Sequence, residues 1–145
     1  MSKNKKPIQE DEKINNSFIK NFVEWFQKKP IIDNKEDRLR FKEREVWYIH
    51  FGTNIGFELD GKEEFLRPCL VIKKLSNETL YVIPLTSKKK NGTWYFPSNV
   101  GETEGRYIFS QMRSIDSKRL KYYVETVSKK EFSTIKTSFI SFFET

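Results

Sequence analysis

Val46-Trp47-Tyr48-Ile49-His50-Phe51-Gly52 opens the stretch that decides the fold. It is followed by Gly56-Phe57-Glu58, Arg67-Pro68-Cys69-Leu70-Val71-Ile72 and Tyr81-Val82-Ile83-Pro84-Leu85-Thr86-Ser87. Branched and aromatic residues crowd each apolar run, and turn-forming residues separate the runs. Such side chains suit a pleated, half-buried surface, so strands are expected over Val46–Phe51, Pro68–Lys73 and Thr79–Pro84. Ser76-Asn77-Glu78 fits a tight hairpin between the second and third. Further along, Lys88-Lys89-Lys90-Asn91-Gly92 is a basic turn, Thr93–Phe96 a short strand, and Arg106–Gln111 and Lys121–Val127 two more. Ile115–Arg119 fits a single helical turn. Several short strands at close spacing argue for a small β-barrel.

The flanks read as helices, which makes the fold class mainly β with helices (α+β). From Asp11 to Lys29, Ile14, Phe18, Phe22, Trp25 and Phe26 recur at three- and four-residue spacing, with Ile19 and Val23 widening the stripe. Lys28-Lys29 suits the C-terminal dipole, and Pro30 is expected to stop the helix. This aromatic face packs either on its own domain or on a partner. Residues 30–44 form a charged connector, with room for a helical turn around Lys35–Phe41. At the other end, Ser128-Lys129-Lys130-Glu131 is a capping-box pattern ahead of Phe132, Ile135, Phe139 and Phe142 or Phe143. The expected organisation is a flexible tail over 1–12, a helical extension and connector over 13–44, and a barrel domain over 45–145.

At 145 residues the chain suits one domain with a core of its own. Its formal charge of +7 favours a polyanionic partner, because Lys and Arg that neutralise phosphates release counterions; solubility alone is the other reading. The single cysteine, Cys69, excludes an intrachain disulfide and fits a reducing cytoplasm, and its apolar neighbours suggest a buried strand position. No apolar run has a membrane-spanning length and no signal peptide is evident, so a cytoplasmic location is expected.

One His and one Cys argue against a metal site or a His-pair nuclease, and Asp60, Glu63 and Glu64 are not clustered as ligands. No cofactor is expected. Phosphate-binding glycine loops are absent. Arginine and hydroxyl chemistry remain. Arg67 has its backbone restrained by Pro68 and enters an apolar strand, where it is either an ordinary strand-entry arginine or a rigid, half-buried cation for a phosphate. Thr86 ends the next strand, within reach of the same phosphate.

Read together and in order, Gly56-Phe57-Glu58, Arg67-Pro68, Pro84-Leu85-Thr86-Ser87 and Gln111-Met112-Arg113-Ser114-Ile115-Asp116 resemble the MazF/PemK family of toxins from type II toxin–antitoxin systems, over residues 44–143. The resemblance implies an SH3-like barrel with a C-terminal helix, usually dimeric, with RNA lying along the dimer interface. It implies a metal-independent endoribonuclease that cuts single-stranded RNA by 2′-hydroxyl attack, leaving a 2′,3′-cyclic phosphate and a 5′-hydroxyl. It maps catalysis to Arg67 and Thr86, and it implies a cognate antitoxin as partner. Phe57, Glu58, Ser87, Lys88, Lys89, Gln111 and Arg113 are the expected RNA contacts, with Gln111 and Arg113 on one strand face if that segment is extended. Asp116 and Arg119 are spaced for a salt bridge.

Three departures stand out. Some relatives carry a His in the Gly-x-Glu turn and an Arg-x-Asp just before the Gln, whereas this chain has Phe57, then Ile108 and Ser110. Catalysis then rests on Arg67 and Thr86. Phe57 makes the loop apolar enough to stack on a base. Finally, the residues before Glu45 lie outside the usual domain and could pack on the barrel, extend the dimer or mask the groove. The competing reading is a non-catalytic SH3-like module that binds nucleic acid or protein through the barrel groove or the N-terminal helix. Removing residues 1–40 should leave or raise an enzyme's activity but disable a helix-mediated adaptor.

Overall fold

The computed structural model describes residues 16–144, with side chains from residue 21 onward. The tail expected over 1–12, and the side chains of Ile14, Phe18 and Ile19, lie outside the described residues. Seven antiparallel strands, β1 (Glu45–His50), β2 (Leu66–Lys74), β3 (Thr79–Thr86), β4 (Tyr95–Ser98), β5 (Gly105–Ile108), β6 (Arg113–Asp116) and β7 (Leu120–Thr126), lie between helices α1 (Asn16–Asp33) and α2 (Lys129–Glu144). Among the described residues, no helix is long and apolar enough to cross a membrane.

Strand β3 organises the sheet. One edge pairs with β2 (Cys69 opposite Pro84). Its other edge is divided, with Thr79–Val82 on β6 and Leu85–Thr86 on β5. A strand shared in this way cannot stay flat, and the sheet curls. From β6 the chain passes through a 3-10 turn at Ser117–Arg119 into β7, which pairs with β1 on the far edge. The result is the small barrel that the strand spacing predicts.

Alternation along the strands then fills two cores. Trp47, Ile49, Phe51, Cys69, Val71, Leu80, Val82, Ile115 and Leu120 fill the barrel. Val46, Leu70, Ile72, Ile83 and Leu85 face the other way, with Tyr107, Phe109 and the α2 residues Phe132 and Ile135. Each such side chain contributes about 1.5–3 kcal/mol on burial. Ser128 caps α2, its hydroxyl accepting the Glu131 N–H at 3.1 Å. The Glu131 carboxylate accepts from the Tyr107 hydroxyl at 3.5 Å, a tertiary contact. Beyond the reach of α2, Tyr48 and Tyr122, directly opposite one another on β1 and β7, remain exposed.

The N-terminal extension packs on the barrel, with differences from the sequence reading. Helix α1 runs through Pro30 to Asp33, and Asn34 N–H donates to the Pro30 carbonyl at 2.9 Å. Proline removes one helical hydrogen bond, but burying Ile32 beyond it offsets that loss. Trp25 and Ile32 form the buried seam, whereas Phe26 is 74% exposed. No helical turn forms at 35–41. Phe41 instead inserts into the barrel core, so residues 30–44 are more than a connector. Around the Ser117–Arg119 turn the extension is fastened by an Arg38–Asp116 ion pair, by Arg38 to the Ser117 hydroxyl at 3.0 Å, and by Lys118 Nζ to the Asp33 carbonyl at 2.7 Å. The expected Asp116–Arg119 bridge is therefore replaced, Asp116 being taken by Arg38.

The strand expected over Arg106–Gln111 also differs. It ends at Ile108, and Phe109–Gln111 form a 3-10 turn. That turn drives Phe109 into the α2 core, 5.4 Å edge-on from Phe139, and frees residues 113–116 to pair with β3.

Candidate active site

Arg67 sits at the start of β2, only 6% exposed. Its Nε donates to the Asp60 carbonyl at 2.7 Å and its Nη1 to the Leu85 carbonyl at 3.0 Å. Both partners are neutral. The nearby Asp60 carboxylate accepts the Asn54 N–H at 2.5 Å, and among the described residues no carboxylate forms an ion pair with Arg67. Burial lowers its pKa, but a guanidinium keeps its proton in proteins. The site therefore holds a preorganised cation that feels the nearby Asp60 charge without being joined to it in a direct ion pair.

The antiparallel register of β2 and β3 carries Thr86 to the same end of the sheet. Thr86 is 8% exposed, and its hydroxyl oxygen accepts the Lys88 N–H at 3.2 Å. Arg67, Thr86 and Lys62 line two adjoining concavities. One of about 420 Å³ is walled by Phe57, Leu59, Lys88, Lys90, Trp94 and Gln111. The other, about 550 Å³, runs past Ser87, Pro68, Tyr48 and Tyr122.

The residues expected from sequence separate into groups. Phe57, Lys88 and Gln111 join Arg67 and Thr86, Phe57 being fully exposed at its loop tip. Gln111 lies on a turn, not a strand. Its Nε2 donates to the Phe57 carbonyl and its Oε1 accepts the Leu59 N–H, each at 3.2 Å. Ser87 lines the second concavity. Lys89 points away into an ion pair with Glu104 at 2.6 Å. Glu58 closes its own turn, its Oε1 accepting the Ile55 N–H at 2.9 Å. Arg113 lies over the Phe51 ring at 5.2 Å. With Glu58 it borders the concavity beside α1 and not the Arg67 groove.

Lys62 and Trp94 were missed by the sequence reading. Trp94, 44% exposed and 6.0 Å from the Tyr95 ring, follows the Lys88–Lys90 turn, and such interleaving of cations and aromatics is the signal that points to it; Lys62, between Gly61 and Glu63, carries no such signal.

The other reactive side chains lie elsewhere. Cys69 is fully buried, and burial pushes its thiol up, out of the range of a nucleophile. His50 is 2% exposed under the extension, and its Nδ1 has no hydrogen-bond partner among the described residues. Burial, then the charges of Lys35, Lys28, Lys121 and Arg119, push its pKa down to about 4. It is neutral at neutral pH and lines neither of the Arg67 concavities. Among the described residues, no three His, Cys, Asp or Glu side chains gather as a metal site.

No single curated protein matches the chain. Solved structures do match in fold. MazF from Deinococcus radiodurans (Form-I) is 22% identical, with a TM-score of 0.54 over 75% of this chain and all of its own. An endoribonuclease in complex with its cognate antitoxin, from a mycobacterial species, is 11% identical, with a TM-score of 0.54 over 72% of this chain and 96% of its own. A family model described as PemK-like, MazF-like toxin of type II toxin–antitoxin system matches residues 42–143. With its barrel and its arginine groove in place, the chain belongs to the PemK-like, MazF-like toxin family.

Proposed function

We propose that the protein is a metal-independent endoribonuclease acting on single-stranded RNA. The observation that carries this reading is the buried Arg67 guanidinium, fixed by two carbonyls and open to a groove that it shares with Thr86. RNA supplies its own nucleophile. The 2′-oxygen attacks the adjacent phosphorus, the bond to the 5′-oxygen breaks, and a 2′,3′-cyclic phosphate and a 5′-hydroxyl result. Arg67, keeping its proton, stabilises the charge that builds on the phosphorane oxygens, while Thr86 orients the phosphate; the 2′-hydroxyl gives its proton to water and the leaving 5′-oxygen takes one from water. Lys62 and Lys88 draw the backbone in by counterion release, and Phe57 and Trp94 offer faces on which unpaired bases stack.

The working unit in this reading is a homodimer. The exposed Tyr48 and Tyr122 beside the groove support it, since they leave an uncovered face next to Arg67. A cognate antitoxin is the further partner, supported by the family itself and by the mycobacterial endoribonuclease bound to its own.

The test is cleavage of a long single-stranded RNA in EDTA by wild type and R67A, with the product ends mapped and the mass in solution measured. Discrete cuts with cyclic phosphate ends, absent in R67A, are expected. Intact RNA with folded dimer would replace the enzyme by a binding module.

A further inference from the structure

Arg67 is oriented in part by a loop, and that loop is held by a residue outside the family-matched region. The segment from Gly52 to Phe65 leaves β1 and returns to β2. Its Asp60 carbonyl accepts the Arg67 Nε, so the placement of the loop sets the placement of the guanidinium. Its base is closed by the Phe65 carbonyl, which accepts the N–H groups of Phe51 at 2.8 Å and Gly52 at 3.1 Å. The Gly61 N–H then donates to the Gly52 carbonyl at 2.7 Å, one residue from Asp60.

This base is strained. Glu64 and Phe65 have φ of 56° and 63°, a left-handed backbone that side chains disfavour. Such conformations persist only where the surroundings over-determine them. Trp25 of α1 lies against both ends of the loop. Its ring is 5.4 Å from that of Phe65. On the other side it fits so closely on Gly52 that a Cβ there would stand 2.4 Å from the indole. Arg119 covers the ring at 5.8 Å while donating to the His50 carbonyl at 2.9 Å, which locks the indole to β1. Trp25 itself is 6% exposed.

We propose that Trp25 is a positioning residue for Arg67, acting through the Gly52–Phe65 loop, so that the N-terminal extension is part of the active site's support and does not mask it. For activity this rests on the ribonuclease reading; for geometry it stands alone. The loop tip is wired separately through Gln111 and Asn54, which leaves the base as the part that α1 controls.

The experiment compares full-length wild type, W25A and W25F by amide hydrogen exchange and by cleavage kinetics on single-stranded RNA. In W25A the amides of Phe51, Gly52 and Gly61 should exchange about tenfold faster or more, while those of β2 and β3 stay protected. Turnover should fall by about tenfold or more with KM held within about threefold, since misplacing a guanidinium weakens the transition state more than binding. W25F, which keeps a ring against Phe65, should recover most of both. Loop amides that exchange no faster, loosening spread evenly over the strands, or turnover that is unchanged or raised would overturn the proposal. Should W25A not fold, W25L, which removes the ring but keeps much of its volume, takes its place, with the same loop-selective exchange expected and its absence overturning the proposal. Should wild type leave RNA intact, the enzymatic reading falls, while the exchange pattern still judges the clamp.

Discussion

Arg67 and Arg119 are both largely buried, both have pKa values lowered by burial, and both donate to backbone carbonyls. They differ in what lies beyond those bonds. Arg119 ends over the Trp25 ring at the concavity beside α1, where its charge meets an aromatic face of the fold. Arg67 ends at a groove lined by Thr86, Lys62 and Lys88. A buried cation becomes a candidate for chemistry when its neighbours satisfy its geometry and leave its charge to an incoming anion. The seam beneath the extension and the groove are thus built from the same residue type for opposite ends.

The sharpest way to break this contrast is R67A. Turnover should fall by about 10²–10³-fold, the loss seen for a single preorganised donor. R67K should restore little, because an ammonium cannot reproduce the fork held by Asp60 and Leu85. Equal losses from R119A would erase the distinction.

The seam should answer to pH before the groove does. His50 titrates at about 4 in the fold, below its ordinary value near 6.5. Between those values the unfolded chain binds the extra proton and the folded chain does not. Stability should therefore be full above pH 6.5 and decline as pH falls towards 4, at up to about 1.4 kcal/mol per unit. Denaturant melts of wild type and H50Q across that window check it, since H50Q should lose this slope.

Smaller effects are expected at the groove rim. F57A should weaken RNA binding by about 1–3 kcal/mol if the ring stacks on a base, with turnover at saturation little changed. K88A should reduce the salt dependence of binding by about one phosphate contact. K89A should change it less, because Lys89 is held by Glu104. Equal salt slopes for the two would argue that the whole basic turn, and not the groove alone, meets RNA.

Much of this was legible in the sequence, for definable reasons. Strands β1 to β3 announce themselves because both of their faces must fit a core, which leaves nearly continuous apolar runs, and Arg67 and Thr86 stand at the ends of two of them. The far wall of the groove does not. Lys62 stands in the loop ahead of β2, its N–H on the Leu66 carbonyl at 2.8 Å, whereas Trp94 precedes β4 and reaches Arg67 only through the pairing of β4 with β5 and of β5 with β3. Pro30 misled because propensity says stop while the burial of Ile32 says continue. Trp25 and Phe26 share one apolar stripe, and periodicity alone cannot say that the first is buried and the second exposed.

The pairing of β7 with β1 has a consequence in time. A chain made from its N-terminus presents β1 early, with one edge unpaired until residues near Thr126 arrive. The Arg67 carbonyl partners, at Asp60 and Leu85, are in hand long before that. Arg119, which seats Trp25, is not. Contacts between such distant segments form slowly. A nascent chain therefore carries its groove arginine well before the contacts around Trp25 can form, and the fold about the groove is completed only when the last strand docks on β1.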